Sequence, residues 1–264
     1  MQQEIETIYD YLDSVDLLRD AIGTEMKIVL FSVLQGLADN FAYQVVMSKP
    51  GNNRLAKELK KLVIPHVTGL LSAYRKSARS LGESFAGLVL SKTTKLQKAR
   101  GMKPKPDKAE EKLVLNLDSL TDVYVIELKS IARTLLMGGL SGKEVTKQLE
   151  ENVKNTGRET GTYFNAISSD VKSAIFQIAD QAAQEAFAFE NLQDAMRWVA
   201  FFTKTCPDCI DRHNQIKSYD EWASWGFPRS GATVCRQHCH CVLIPDSYPV
   251  KIEQPLPRER ARIE

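Results

Sequence analysis

The segment MRWVAFFTKTCPDCIDRHNQIKSYDEWASWGFPRSGATVCRQHCHCVLIP, residues 196–245, decides how this chain is read. All five cysteines of the 264-residue sequence lie inside it. They stand as Cys206-Pro207-Asp208-Cys209 and, after 25 intervening residues, as Cys235-Arg236-Gln237-His238-Cys239-His240-Cys241. The first pair has the two-residue spacing of a zinc knuckle, in which a tight turn aims both sulfurs at one point. The second cluster can complete a tetrahedron. One structural zinc per chain is expected, bound by Cys206, Cys209, Cys235 and either Cys239 or Cys241. If Cys239-His240-Cys241 is extended, its two sulfurs start on opposite faces and both bind only with local distortion. His213, His238 and His240 are further donors of the right type. A two-cysteine redox motif fits less well, because it needs a single pair beside a strand–helix unit. Asp208 and Asp211 read as solvated turn residues, or as acceptors that hold the ligands in place without touching the metal.

Upstream the sequence is helical. Ile5, Ile8, Tyr9, Leu12, Val15 and Leu18 recur at three- and four-residue steps, and a second helix is expected over about 24–47. It ends before the breaker cluster Pro50-Gly51-Asn52-Asn53. A third covers about 54–98, with Pro65 marking a kink or a division. Residues 100–109 contain Gly101, Pro104 and Pro106 and read as a linker. A helix over about 117–137 closes at Gly138-Gly139, glycines suited to a left-handed cap. Ser141-x-x-Glu144 is a capping box that opens a short helix. Ile167, Val171, Ala174, Ile175, Ile178 and Ala182 stripe a long helix that ends near Phe189. From Met196 the character changes: Trp198–Phe202 reads as a strand, and helix periodicity disappears as far as Pro249. The expectation is a mostly α protein with a small C-terminal α+β zinc-knuckle unit. Its parts are an N-terminal helical domain over 1–109, a central helical region over 110–195, and a cysteine-rich unit and tail over 196–264.

The composition is that of an ordinary globular chain, 43% hydrophobic and 26% charged, which excludes collagen-like and wholly disordered classes. Net charge is +2, but it is unevenly spread: −5 over residues 1–53, +11 over 54–108 and −4 over the rest. The basic middle suits an acidic partner or nucleic acid, or is a solvated helix face. Only Tyr74 and Phe85 interrupt it, so base stacking has little support. Met1–Asp10 holds three acidic and no basic residues and reads as neither a secretory nor a transit segment. The cysteines are therefore expected in a reducing compartment, where metal binding is favoured over disulfides. The apolar run Ile28–Ala38 is 11 residues long, so no membrane span is expected. No histidine is followed two places later by Glu, which removes the zinc-deaminase reading. Phosphate-binding, His-Glu-x-x-His and Gly-x-Ser-x-Gly motifs do not occur, and no enzymatic role is expected. His66, in an apolar stretch, reads as a packed or exposed helix residue.

The order Trp198 … Phe202-Thr203 … Cys206-x-x-Cys209 … Ile216-x-x-Tyr219 … Gly226-x-Pro228 … Cys235 … Cys239-x-Cys241-x-Leu243 resembles the C-terminal signature of tailed-phage minor head proteins. These form the head morphogenesis family typified by the F protein of phage Mu. The helix ending in Gly138-Gly139, the short helix from Ser141 and the Ala-rich helix before Trp198 extend the resemblance over about residues 125–246. Cys235 stands near the family's usual His-Pro, and His240 replaces an Arg. The resemblance implies a low-copy component of the virion, associated with the portal protein inside the capsid and aiding head assembly, DNA packaging or delivery. It would pass through the host cytoplasm during assembly. Partners would be the portal, the major capsid or scaffold protein, and packaged DNA met by Lys57, Lys60 and Lys61. The alternative is a zinc-containing nucleic-acid-binding protein that uses the basic region 54–108.

Overall fold

The computed structural model describes residues 8–49, 51–93, 108–189, 195–200, 205–228, 232–235, 239 and 241–248. Five helices come first: α1 Ile8–Met47, α2 Arg54–Thr93, α3 Lys108–Met137, α4 Gly142–Lys154 and α5 Arg158–Phe189. The C-terminal part holds β1 Met196–Val199, α6 Pro207–Arg212, β2 Ile216–Lys217, α7 Tyr219–Trp225 and β3 Val242–Pro245. The protein is mostly α, with a small α+β end. Of the linker expected at 100–109, residues 100–107 lie outside the described residues, as do Phe201, Phe202 and the tail after 248, while Lys108 and Ala109 already belong to α3.

Two expected divisions between helices are absent. The two helices expected before residue 47 are one, because Gly23 serves packing and does not interrupt the helix. A Cβ there would stand 2.2 Å from Lys172 Cε and 3.0 Å from Ser168 Oγ, so only glycine admits α5 this close. Ser168 Oγ donates to the Gly23 carbonyl at 3.3 Å. Pro65 likewise lies inside a continuous α2, at an exposed position where water can meet the carbonyl left without its amide partner. By length and composition α1 could cross a membrane over Asp10–Ala38. A core helix passes the same test, and Ile22, Met26, Leu30, Leu34 and Ala38, one turn apart, form a single buried stripe.

Other ends are set as the sequence indicates. Gly139, at φ +94°, donates to Leu136 O while Leu140 donates to Leu135 O, the paired bonds of a Schellman cap closing α3. Ser141 Oγ receives the Glu144 amide and the Glu144 carboxylate receives the Ser141 amide, which starts α4. The apolar stripe of α5 from Ile167 to Ala182 is buried.

The chain groups into two compact units, each built from segments on both sides of position 109. One comprises the described residues of Arg19–Tyr74 and Asp107–Ala174. At its centre Tyr124 stacks on Tyr163 with centroids 4.4 Å apart, and Phe41 lies 6.2 Å from Tyr124. The buried hydroxyls are satisfied: Tyr163 pairs with Thr121 at 2.9 Å and Tyr124 with Thr160 at 2.8 Å. Burial pushes both phenols up, Tyr163 to about 12.

The other unit comprises the described residues of Met1–Leu18, Arg75–Pro106 and Ile175–Glu264. Tyr11 stacks on Phe85 at 4.2 Å, with Phe176 and Phe187 edge-on around them. A Cβ on Gly82 would come 1.9 Å from the Ala179 carbonyl oxygen, so the helices approach to backbone contact there. The sheet is antiparallel in the order β2-β1-β3, with Trp198 opposite Leu243 and Arg197 opposite Ile216 and Ile244. Gln184 Nε2 donates to Leu243 O at 3.1 Å and ties the end of α5 to β3.

Candidate metal centre

The sheet, α6 and α7 carry the cysteines. Trp198 and Trp222 are fully buried with ring centroids 5.2 Å apart, and Trp222 Nε1 donates to Met196 O at 2.8 Å. This indole pair forms the small core on which the cysteine loops rest. The short helices are the α part of this α+β end. α6 starts at Pro207, a residue suited to a first helical position, and Ser218 and Glu221 make a second capping box for α7.

Cys206 is the N-cap of α6, and its carbonyl receives the amides of Cys209 and Ile210, both at 3.1 Å. This turn brings the Cys206 and Cys209 sulfurs to one side. Cys235 Sγ then lies 3.2 Å from Cys206 Sγ and 3.5 Å from Cys209 Sγ, and Cys239 Sγ lies 3.4 Å from Cys209 Sγ. Cys206, Cys209 and Cys235 form one group with ligand atoms within 4.8 Å of one another. Cys209, Cys239 and Cys241 form a second, so Cys209 belongs to both. Cys239 and Cys241 do not oppose each other as they would in a strand. β3 begins only at Val242, and Cys239 and Cys241 lie outside it.

All five cysteines are free thiols, and their separations exceed the roughly 2.05 Å of a disulfide. A tetrahedral ion with bonds of about 2.3 Å spaces its sulfurs about 3.8 Å apart, within a few tenths of an ångström of what is seen. The cluster can hold a metal ion. Its electrostatics agree. Cys209 is held far above its ordinary value by the thiols of Cys235, Cys239 and Cys241, and then by burial. The Cys209 thiol pulls Cys235 down, but Cys239 and burial outweigh it and leave Cys235 up at about 12. Cys241 is likewise lowered by Cys209 and raised further by Cys239 and burial. Burial raises Cys206 too, yet the amides of Cys209 and Cys235 outweigh it and the thiol falls below its usual value. Thiolates packed this closely repel one another, and a divalent cation removes that repulsion.

Neighbouring groups brace the centre. Asp208 Oδ2 accepts the Val234 amide at 2.9 Å, so of its two readings it is the acceptor, a latch between the two cysteine segments. Asp211, by contrast, is exposed. Thr233 Oγ1 lies 3.3 Å from Cys235 Sγ. Trp198 lowers the pKa of the Cys241 thiol by a smaller amount than Cys209 does. His213 is no ligand here: its Nδ1 accepts the Ala200 amide at 3.1 Å and supports the end of β1. Burial and then Arg197 lower its pKa. His238 and His240 lie outside the described residues.

The basic residues singled out on α2 divide. Lys57 and Lys61 are exposed, one turn apart. Lys60 is turned into the protein and pairs with Asp118 at 2.9 Å and Asp122 at 2.7 Å, which withdraws it from any DNA-facing set. His66 is exposed, its Nδ1 against Leu62 O. Comparison of the whole chain with protein-family models, curated proteins and solved structures found no match.

Proposed function

We propose that the cluster is a closed structural zinc site, one per chain, and that the protein is a minor head component of a tailed phage. In this reading four thiolates fill the zinc shell and leave no position for an activated water, so the site's role is structural and not catalytic. Bound zinc would neutralise the crowded thiolates and hold the two cysteine segments against the indole pair. The protein's own residues supply the rest: Asp208 latches the segments, and Gln184 fastens the sheet to α5.

The observation that carries the head-protein reading is the convergence of its signature. Trp198, Cys206, Cys209, Cys235, Cys239, Cys241 and Leu243 are spread over the last third of the chain, yet they meet in one small fold. Such residues in this order build a clip at the end of a helical body, which suits a docking component on a portal. The test is proteomic analysis of purified virions and procapsids of the phage encoding the chain, beside co-purification with its portal protein. Low-copy presence in the particles and capture by the portal support the reading; absence from both particles contradicts it.

The second reading, a nucleic-acid-binding protein, draws on exposed Lys57 and Lys61. It requires tight, salt-dependent binding of free DNA or RNA by the isolated chain.

A further inference from the structure

Five thiols surround a site that a four-coordinate ion fills, so one thiol always stands beside the metal without binding it. The five are not equally accessible. Cys206, Cys209, Cys239 and Cys241 are 2% exposed or less, whereas Cys235 is partly open to solvent. Cys235 Sγ lies 3.2 Å from Cys206 Sγ. We propose that Cys235 is an oxidation site for small hydroperoxides, and that Cys206 resolves it to a disulfide that releases the metal. This rests on the reading of the cluster as a zinc site.

The chemistry balances within these residues and the peroxide. The Cys235 sulfur attacks one peroxide oxygen; the S–O bond forms, the O–O bond breaks, and the departing hydroxide takes up the thiol proton and leaves as water. The Cys206 thiolate, 3.2 Å away, then attacks the sulfenic sulfur; the S–S bond forms and the S–O bond breaks, with loss of hydroxide. The two sulfurs supply the two electrons that the peroxide accepts. Cys209, Cys239 and Cys241 remain, a set of three thiols that can no longer close a tetrahedron. Reduction by a dithiol restores all five.

The experiment uses the full chain. Metal content of the reduced protein is measured first. Hydrogen peroxide is then added stepwise in the presence of a chromogenic chelator, and disulfides are mapped by mass spectrometry after non-reducing digestion. The expected result is zinc at the outset, its release by about one equivalent of peroxide, and a single Cys206–Cys235 disulfide. In a Cys206→Ser chain, Cys235 should instead be captured as a sulfenic acid by dimedone. A disulfide between any other pair, or zinc released with no disulfide, overturns the proposal and leaves the zinc site standing. No metal before peroxide is added overturns both. Because the mapping is done on the unaltered chain, a variant that fails to fold does not decide the matter.

Discussion

Asp208 Oδ2 receives the backbone amide of Val234 at 2.9 Å. This bond joins the first turn of α6, which carries Cys206 and Cys209, to the loop that presents Cys235. Groups that orient ligands without touching the metal typically change affinity by about 10- to 100-fold. Asp208→Ala should therefore weaken metal binding about tenfold in a competition titration with a chelating dye, while Asp208→Asn, which keeps an acceptor, should lose less. Equal affinity in wild type and Asp208→Ala would count against the latch.

Two glycines of α2 make a matched pair. A methyl group at Gly82 would sit 1.9 Å from the Ala179 carbonyl, whereas at exposed Gly87 it would meet nothing within 4 Å. Gly82→Ala should destabilise the protein by about 1–3 kcal/mol through overpacking. Gly87→Ala should stabilise it by about 0.5–1 kcal/mol through helix propensity. Urea midpoints of the two variants, moving in opposite directions, are the check.

Trp222 Nε1 is buried and bonded to Met196 O, so Trp222→Phe leaves that carbonyl without its donor. The expected cost is about 1–3 kcal/mol. The loss should appear in the near-ultraviolet signal of the C-terminal unit, with helix content little changed.

His213 accepts the Ala200 amide through Nδ1, which it can do only while that nitrogen is unprotonated. Its folded pKa lies below the ordinary 6.5, lowered by burial and by Arg197. As pH falls below 6.5 the unfolded chain takes up the proton before the folded one, so stability falls with it. NMR titration of the imidazole in the folded protein should give a midpoint below 6.5; a midpoint above it would contradict the assignment.

Lys57 and Lys61 are exposed, and Lys60 is paired with Asp118 and Asp122. If α2 meets DNA, reversing Lys57 and Lys61 together should lower the salt dependence of binding by about two ion equivalents. Lys60→Glu should instead lower the unfolding midpoint, because it sets a third carboxylate against two. A binding loss confined to Lys60→Glu would contradict this division.

The parts of the fold readable in advance were those with a local signature. Ser141 and Glu144, Gly139 and the stripe from Ile167 to Ala182 act within a turn or two of themselves, and the cysteine spacing pointed to the thiol cluster that could hold a metal ion. Where the sequence misled, the cause lay across space. Gly23 looks like a helix break until Lys172 and Ser168 of α5 are placed against it. Lys60 is one of a run of lysines until α3 supplies its two carboxylates. The short helices α6 and α7 have six and seven residues, too few for periodicity to show. Only the Ser218-x-x-Glu221 pattern could have revealed α7. The Asp208 latch depends on loop closure, which no spacing encodes.

The central claim is that these thiols close on one metal ion. The most direct measurement is metal content per chain on protein purified without added metal, beside Cys206→Ser and Cys235→Ser variants. The account predicts about one zinc per wild-type chain, and its loss together with the ordered signal of the C-terminal unit in both variants. Metal-free protein with five titratable thiols and an intact C-terminal unit would contradict it.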